Sequence, residues 1–127
     1  MKVLVIEDDA MTSELLQLRL APMGCNAVFA SDAQSALTLA TSHHPDLIVA
    51  DLHLNTGIGE GFKLIQMLRQ SPATARTPIF IHSVYIAGPD DMPEVQAWAD
   101  GFLPKPLRLS DLKKLIDDVA RQVSQVS

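Results

Sequence analysis

The sequence predicts a single α/β domain, a doubly wound parallel sheet of five strands between two layers of helices. Four short runs, residues 3–6, 27–29, 47–50 and 79–81, are apolar at every position. Continuous apolar runs too short for a helix are typical of parallel strands that are covered on both faces. Helical patterns separate these runs, and an alternation of strands and helices builds a three-layer αβα domain.

A fifth strand is predicted over residues 102–105, at the edge of the sheet. Pro104 lies inside this segment and has no N–H group to donate to a neighbouring strand. Proline is therefore tolerated in a sheet only where the strand has one neighbour.

Helices are predicted from apolar spacing over residues 9–20, 33–41, 61–69 and, more briefly, 92–99. The first repeats Met11, Leu15 and Leu18 at helical spacing, and the third places Phe62, Ile65 and Leu68 on one face. Ser31 with Gln34 is a candidate capping box for the second helix, and Ser110 a candidate cap for a last helix that ends near Val123.

Composition limits the classes of function. The 127 residues, 47% apolar, suffice for one core, and a formal charge of −5 disfavours direct contact with nucleic acid or an anionic membrane. The first apolar run is too short for a signal peptide, and no run approaches the length of a membrane span, so we expect a cytoplasmic protein. The lone cysteine, Cys25, is expected to be a small core residue.

Polar residues follow the predicted strands where their carboxyl ends meet, which is the edge where such sheets bind ligands. Glu7, Asp8 and Asp9 follow the first strand, and Asp51 follows the third. Clustered carboxylates repel one another unless a cation lies among them, and hard oxygen ligands suit Mg²⁺. The sequence therefore predicts a Mg²⁺ site there, beside an aspartate able to form an acyl phosphate.

Two further residues complete the expected site. Ser83 ends the fourth strand, and Lys105 ends the fifth. A lysine can neutralise phosphoryl oxygens while a serine donates a hydrogen bond to one of them.

Four segments in this order resemble the CheY-like receiver domain of response regulators in two-component systems. They read Val-Leu-Val-Ile-Glu-Asp-Asp (3–9), Pro-Asp-Leu-Ile-Val-Ala-Asp-Leu-His-Leu (45–54), Thr-Pro-Ile-Phe-Ile-His-Ser (77–83) and Phe-Leu-Pro-Lys-Pro (102–106). The resemblance covers the whole chain and implies strand order 2-1-3-4-5. It implies a receiver domain over residues 1–124 and a frayed tail over 125–127.

The resemblance also implies roles for the residues around the metal. Asp51 is expected to accept the phosphoryl group and, with Asp8, to bind Mg²⁺ directly. Glu7 would act through a water molecule, and His53 would offer its backbone carbonyl. Lys105 would accompany them as the cation of the site.

The resemblance further implies a signalling switch with self-catalysed phosphotransfer, not an enzyme. A sensor histidine kinase or phosphotransfer protein would donate to Asp51, after which Ser83 and the ring of Phe102 would shift. The face from Met92 to Lys113 would then bind an output protein or a second copy of the chain.

Three features depart from the family pattern. The segment from Asn55 to Glu60 belongs to a loop about two residues longer than usual, and bulky Val84 follows Ser83. Trp98 stands where the family often has glycine, and it could either anchor a partner or pack in the core.

Alternative functions remain open at this point. A degenerate receiver would serve as a docking module that never takes phosphate. A haloacid-dehalogenase-like phosphatase needs a second aspartate two residues after the first, where this chain has His53, and an FMN-binding flavodoxin-like domain needs a phosphate loop where Glu7, Asp8 and Asp9 stand. The four histidines are not arranged for zinc.

Overall fold

The computed structural model describes residues 1–51, 58–83, 98–104 and 107–126, with side chains for all except 58–60, 83, 104 and 123–126. Its strands are β1 (Lys2–Ile6), β2 (Asn26–Ala30), β3 (Leu47–Ala50), β4 (Ile79–Ser83) and β5 (Gly101–Pro104). Its helices are α1 (Ala10–Leu20), α2 (Ala33–His43), α3 (Ile58–Gln70) and α4 (Leu109–Val126), and a 3₁₀ turn (Ala21–Met23) follows α1.

The described strands form one parallel sheet in the order β2-β1-β3-β4-β5. The predicted fold class and strand order are confirmed, and β5 is an edge strand as its proline requires. Strand β1 has β2 on one side, and β3, β4 and β5 follow in order on the other side. The order of the strands reverses next to β1, so ligand chemistry is expected between the ends of β1 and β3.

Two apolar clusters lie on opposite faces of the sheet, because successive residues of a strand point to opposite sides. Leu4, Ile6 and Ile48 face α2 and α3, which bury Ala36, Ala40, Leu64, Ile65 and Leu68 there. Val3, Val5 and Val49 face α1 and α4, which bury Leu16, Leu20, Leu112, Leu115, Ile116 and Val119. The continuous apolar runs of the strands follow from this double burial.

Cys25 packs at the edge of the second cluster. Burial raises the pKa of its thiol, so the side chain stays protonated at neutral pH and behaves as a small apolar group. The predicted role of Cys25 is consistent with this position.

Helix α1 has the predicted extent but presents a different face to the core. Leu16 and Leu20 are buried, whereas Met11, Leu15 and Leu18 are 79%, 43% and 67% exposed. The repeat of Met11, Leu15 and Leu18, from which the helix was predicted, therefore does not mark its buried face. Five large apolar side chains on one short helix occupy two faces, and only Leu16 and Leu20 are covered.

The caps of two helices also differ from the prediction. Asp32, not Ser31, caps α2, since its carboxylate accepts a hydrogen bond from the Ser35 backbone N–H at 2.7 Å. A carboxylate at this position also interacts favourably with the helix dipole. Ser110 lies inside α4, because the Arg108 carbonyl already accepts from the N–H groups of Asp111 and Leu112.

Helix α3 begins at Ile58, three residues before the predicted start, and buries Ile65 and Leu68 with Phe62 half-buried, as its spacing predicts. Helix α4 continues to Val126 and so includes two residues of the expected tail. Among the described residues, no helix combines the length and apolarity that crossing a bilayer requires.

Candidate functional site at the carboxyl ends of the strands

The site is built on the neighbouring strands β1 and β3. Ile6 and Ala50, the last residues of these strands, lie opposite each other. Glu7 and Asp51 follow them directly and continue the ladder, since Asp51 N donates to Ile6 O and Glu7 N donates to Ala30 O, each at 2.9 Å. Backbone hydrogen bonds therefore hold both carboxylate-bearing residues in place.

Three carboxylates meet at this edge of the sheet. Glu7, Asp8 and Asp51 each offer an oxygen, and these oxygens all lie within 4.8 Å of one another. Glu7 is 3% exposed and Asp51 is 5% exposed, whereas Asp8 is open to solvent. The arrangement offers hard oxygen ligands to a cation that approaches from the side of Asp8.

Asp9 has a separate structural role. Its carboxylate accepts from the Thr12 backbone N–H at 3.2 Å and from the Thr12 hydroxyl, which caps α1. Its own N–H donates to Glu7 Oε1 at 3.2 Å. Asp9 thus starts the helix with its side chain and holds the Glu7 carboxylate with its backbone N–H.

An exposed apolar stripe lies beside the site, along α1. It consists of Met11, Leu15 and Leu18, and it begins two residues after Asp9. At 1.5 Å per residue, the stripe extends about 10 Å along the helix from the carboxylates. Exposed large apolar side chains in a row are typical of surfaces that contact other proteins.

The two expected switch residues lie on β4 and β5. Ser83 is the last residue of β4 and pairs with Pro104, and Phe102 pairs with Ile81. Phe102 is half-buried and packs against the cluster that also holds Trp98. Of the two possibilities for Trp98, the structure favours packing against the core. The side chain of Ser83 lies outside the described residues.

Several predicted positions fall on residues that the structure does not describe. Lys105 and His53 are among them, as are Val84, residues 55–57 of the loop and most of the predicted helix over residues 92–99. His82, by contrast, is buried in β4, and the described groups able to bind a metal together are carboxylates only.

The sequence did not indicate an ion pair between Arg69 and Asp100 at the opposite edge of the sheet. Arg69 Nη2 lies 2.7 Å from Asp100 Oδ2. The residues are 31 positions apart, one in the last turn of α3 and one before β5. Neither belongs to a local motif, so only the folded sheet brings them together.

The whole arrangement has a match among known families. The family model of the response regulator receiver domain matches residues 3–117. The chain belongs to this family. Receiver domains of two-component response regulators are signalling domains and not classical enzymes, and the carboxylates at the ends of β1 and β3 lie within the matched region.

Curated relatives include longer regulators and kinases. The probable transcriptional regulator ycf27 of Porphyridium aerugineum is 29% identical over 99% of this chain and 50% of its own length. The sensor histidine kinase AruS of Pseudomonas aeruginosa is 32% identical over 97% of this chain and 12% of its own length. The receiver domain thus spans about half the length of the first regulators it matches.

Solved structures agree with the fold. The chemotaxis response regulator CheY4 of Vibrio cholerae superposes with a TM-score of 0.82 at 26% identity, covering 93% of this chain and 97% of that one. A putative response regulator from Chloroflexus aurantiacus superposes with a TM-score of 0.81 at 24% identity, covering 93% and 95%.

Proposed function

We propose that this receiver domain takes a phosphoryl group onto Asp51 and thereby switches a protein-interaction surface. The observation that carries the proposal is the convergence of the Glu7, Asp8 and Asp51 carboxylates at the ends of β1 and β3, in a chain of the receiver family. Asp51 is the one of the three that follows a central strand with β1 on one side and β4 on the other.

The donor set fits Mg²⁺. Carboxylate oxygens are hard ligands, Mg²⁺ takes only one or two carboxylates with waters and phosphate oxygens, and the exposed Asp8 leaves room for these. Asp8 and Asp51 would bind the ion directly, Glu7 through water, and His53 through its backbone carbonyl. A structurally similar receiver, from a sensor histidine kinase of Pseudomonas aeruginosa, has a magnesium ion coordinated in its active site cleft, which supports the assignment.

The chemistry is a transfer between two residues. An Asp51 oxygen attacks phosphorus of a phosphohistidine, the P–N bond breaks, and the imidazole leaves with the bonding electron pair while an acyl phosphate forms. When bound, Mg²⁺ neutralises charge on the phosphoryl oxygens. Lys105 supplies a second positive charge, and the Ser83 hydroxyl donates to an oxygen of the new acyl phosphate.

The donor would be a sensor histidine kinase or phosphotransfer protein. Such a partner must cover the surface around Asp51 to bring its histidine there. The stripe of Met11, Leu15 and Leu18 begins at the rim of the site and offers apolar contact area to this partner. Its position supports a role in docking the phosphodonor.

Phosphorylation of Asp51 would change the structure around β4 and β5. Movement of Ser83 towards the acyl phosphate would free space for the half-buried ring of Phe102, and the change would alter the face from Met92 to Lys113. This face would bind an output protein or a second copy of the domain. As part of the same proposal, the domain would act in the cytoplasm.

Incubation with acetyl phosphate and Mg²⁺, followed by intact mass measurement, tests the proposal. We expect a single phosphoryl adduct that is lost in Asp51→Asn and in the presence of a chelator. Asp117→Asn, an exposed aspartate on α4, is the matched control and should retain the adduct. If the wild-type protein accepts phosphate neither from acetyl phosphate nor from a phosphorylated kinase, the domain is a docking module instead.

A further inference from the structure

Arg69 connects three parts of the chain at the amino ends of β4 and β5, whereas Asp51 lies at the carboxyl end of β3. Its Nε donates to the Trp98 carbonyl at 2.7 Å, and Nη1 donates to the carbonyls of Thr77 at 2.6 Å and Ala75 at 3.3 Å. Nη2 donates to Asp100 at 2.7 Å. The Arg69 side chain is 19% exposed and that of Asp100 is 49% exposed, so the bonds to the Trp98 and Thr77 carbonyls are the more sheltered ones and the ion pair is open to solvent.

Asp100 in turn fixes where β5 begins. Its Oδ2 accepts from the Ile79 backbone N–H at 2.8 Å, and its own N–H donates to the Ile79 carbonyl at 2.7 Å. Ile79 is the first residue of β4, and Asp100 immediately precedes β5. These two bonds therefore define the first rung between the strands, one step before the pair of Phe80 and Gly101.

Within β5, the packing of Phe102 against the first apolar cluster and of Leu103 in the second supports the register. The strand contains four residues on the edge of the sheet, Gly101 has no side chain to pack, and Pro104 has no N–H to donate. A slip of one residue would move β5 by about 3.3 Å and turn Phe102 to the opposite face. The bonds of Asp100 add a polar restraint to that packing at the start of the strand.

We propose that Arg69 and Asp100, the Arg69–Asp100 clamp, are positioning residues for phosphoryl transfer. By fixing the first rung of β4 and β5, the clamp holds Phe102 opposite Ile81 and Pro104, which Lys105 follows in the sequence, opposite Ser83. The inference rests on the proposed function. It adds two residues that lie outside the cluster of Glu7, Asp8 and Asp51.

The rate of phosphoryl uptake and the affinity for Mg²⁺ should respond differently to loss of the clamp. The carboxylates of Glu7, Asp8 and Asp51 follow β1 and β3, whereas the clamp acts on the start of β5. Loss of the clamp should therefore slow phosphoryl uptake and leave the affinity for Mg²⁺ unchanged. A merely structural role would instead lower the Mg²⁺-binding fraction and the rate together, in proportion to the protein that unfolds.

The test compares Arg69→Gln and Asp100→Ala with the wild type. The second-order rate of phosphorylation by acetyl phosphate is measured at saturating Mg²⁺, and Mg²⁺ affinity is measured separately by titration. We expect about tenfold slower phosphorylation, since displacement of a reacting group by about 1 Å can cost up to a hundredfold. The amides of Phe102 and Leu103 should exchange with solvent faster than in the wild type.

Arg121→Gln is the matched control, because it removes the same side chain from an exposed ion pair with Asp118 on α4. Its rate and affinity should equal those of the wild type. Arg69→Lys keeps the charge but cannot reach all four acceptors, so its rate should lie between those of wild type and Arg69→Gln. If Arg69→Gln does not fold, Asp100→Asn, which keeps the shape of the side chain, carries the same comparison.

The outcomes are distinguishable. Wild-type protein that takes no phosphoryl group from acetyl phosphate or kinase overturns the proposed function and, with it, the role of the clamp. Active wild type with unaltered clamp variants overturns the clamp alone. Equal losses of rate and Mg²⁺ affinity also overturn it, because they indicate only a loss of folded protein.

Discussion

Gly101 lies opposite Phe80 in the ladder between β4 and β5, and a Cβ atom at Gly101 would come 2.5 Å from Phe80 Cε2. The absence of a side chain at Gly101 lets the ring lie across β5. We expect Gly101→Ala to displace the ring and to lower the free energy of unfolding by about 1–3 kcal/mol, as overpacking does. Urea unfolding measures this cost.

A double-mutant cycle shows whether the ring is the cause. In Phe80→Ala the ring is absent. Gly101→Ala should then lower the free energy of unfolding by only a few tenths as much as it does in the wild type. An equal cost in both backgrounds would mean that the alanine strains the backbone and not the ring.

Helix α1 offers a sharp comparison between neighbouring leucines. Leu16 is 1% exposed and Leu18 is 67% exposed. Leu16→Ala should cost about 2–5 kcal/mol of unfolding free energy because it leaves a cavity in the core. Leu18→Ala should change stability by less than about 0.5 kcal/mol. The reverse ranking would show that α1 is rotated about its axis relative to the present structure.

Apolar patterns in the sequence predict the strands of this domain better than the orientation of its helices. The strands were predictable because both faces are buried, and the order of residues at their ends placed Glu7, Asp8 and Asp51 together. The rotation of α1 was not predictable, since its apolar side chains cover two faces and the cap at Asp9 contributes to its orientation. The prediction of Ser31 as the cap of α2 was wrong by one residue, because the neighbouring carboxylate of Asp32 accepts the hydrogen bond from the helix instead.

The contact between Arg69 and Asp100 is a second feature that could not be predicted from the sequence. Its two residues come together only because β4 and β5 are neighbours in the sheet and α3 ends beside both. No helical or strand period links positions 31 residues apart. Contacts of this kind depend on the completed topology, whereas strand-end chemistry depends only on the rule that parallel strands share an edge.

The cap of α2 predicts a dependence of stability on pH. The Ser35 backbone N–H lowers the pKa of the Asp32 carboxyl in the folded protein. The contribution of this carboxylate to stability is therefore complete above the unfolded value of about 3.9, and it is lost as pH falls through the lower folded value. The stability difference between wild type and Asp32→Asn should be largest near neutral pH and shrink below pH of about 4.

Ser31→Ala is the control for this cap. Ser31 does not titrate and does not cap α2, so its replacement should have a small effect that is constant with pH. Chemical unfolding of the wild type, Asp32→Asn, Asp32→Ala and Ser31→Ala at a series of pH values gives the comparison. A larger loss in Ser31→Ala than in Asp32→Ala would return the cap to Ser31.

The apolar stripe on α1 predicts a difference between phosphodonors. Leu18→Asn should slow transfer from a phosphorylated kinase or phosphotransfer protein by about tenfold or more, because burying a leucine at an interface contributes about 1.5–3 kcal/mol. Uptake from acetyl phosphate should not change, since a small donor needs no docking surface. Met67→Asn, which replaces an exposed apolar side chain on α3, should change neither rate.

Removal of a single carboxylate tests the metal site. Asp8 lies in the three-carboxylate cluster, whereas its neighbour Asp9 caps α1. Asp8→Asn should weaken Mg²⁺ binding by about tenfold or more, because the affinity of oxygen sites depends on the number of charged ligands. Asp9→Asn should leave the affinity unchanged, since asparagine caps a helix as well as aspartate does.

Mg²⁺-dependent stabilisation provides the measurement without any phosphodonor. Binding to the folded state raises the melting temperature in proportion to the logarithm of one plus the ratio of ligand concentration to Kd. The wild type and Asp9→Asn should therefore share one Mg²⁺ titration curve, with the curve of Asp8→Asn displaced to higher concentration. Coincidence of all three curves would place the ion away from Asp8, and a shift in Asp9→Asn alone would move the ligand role to Asp9.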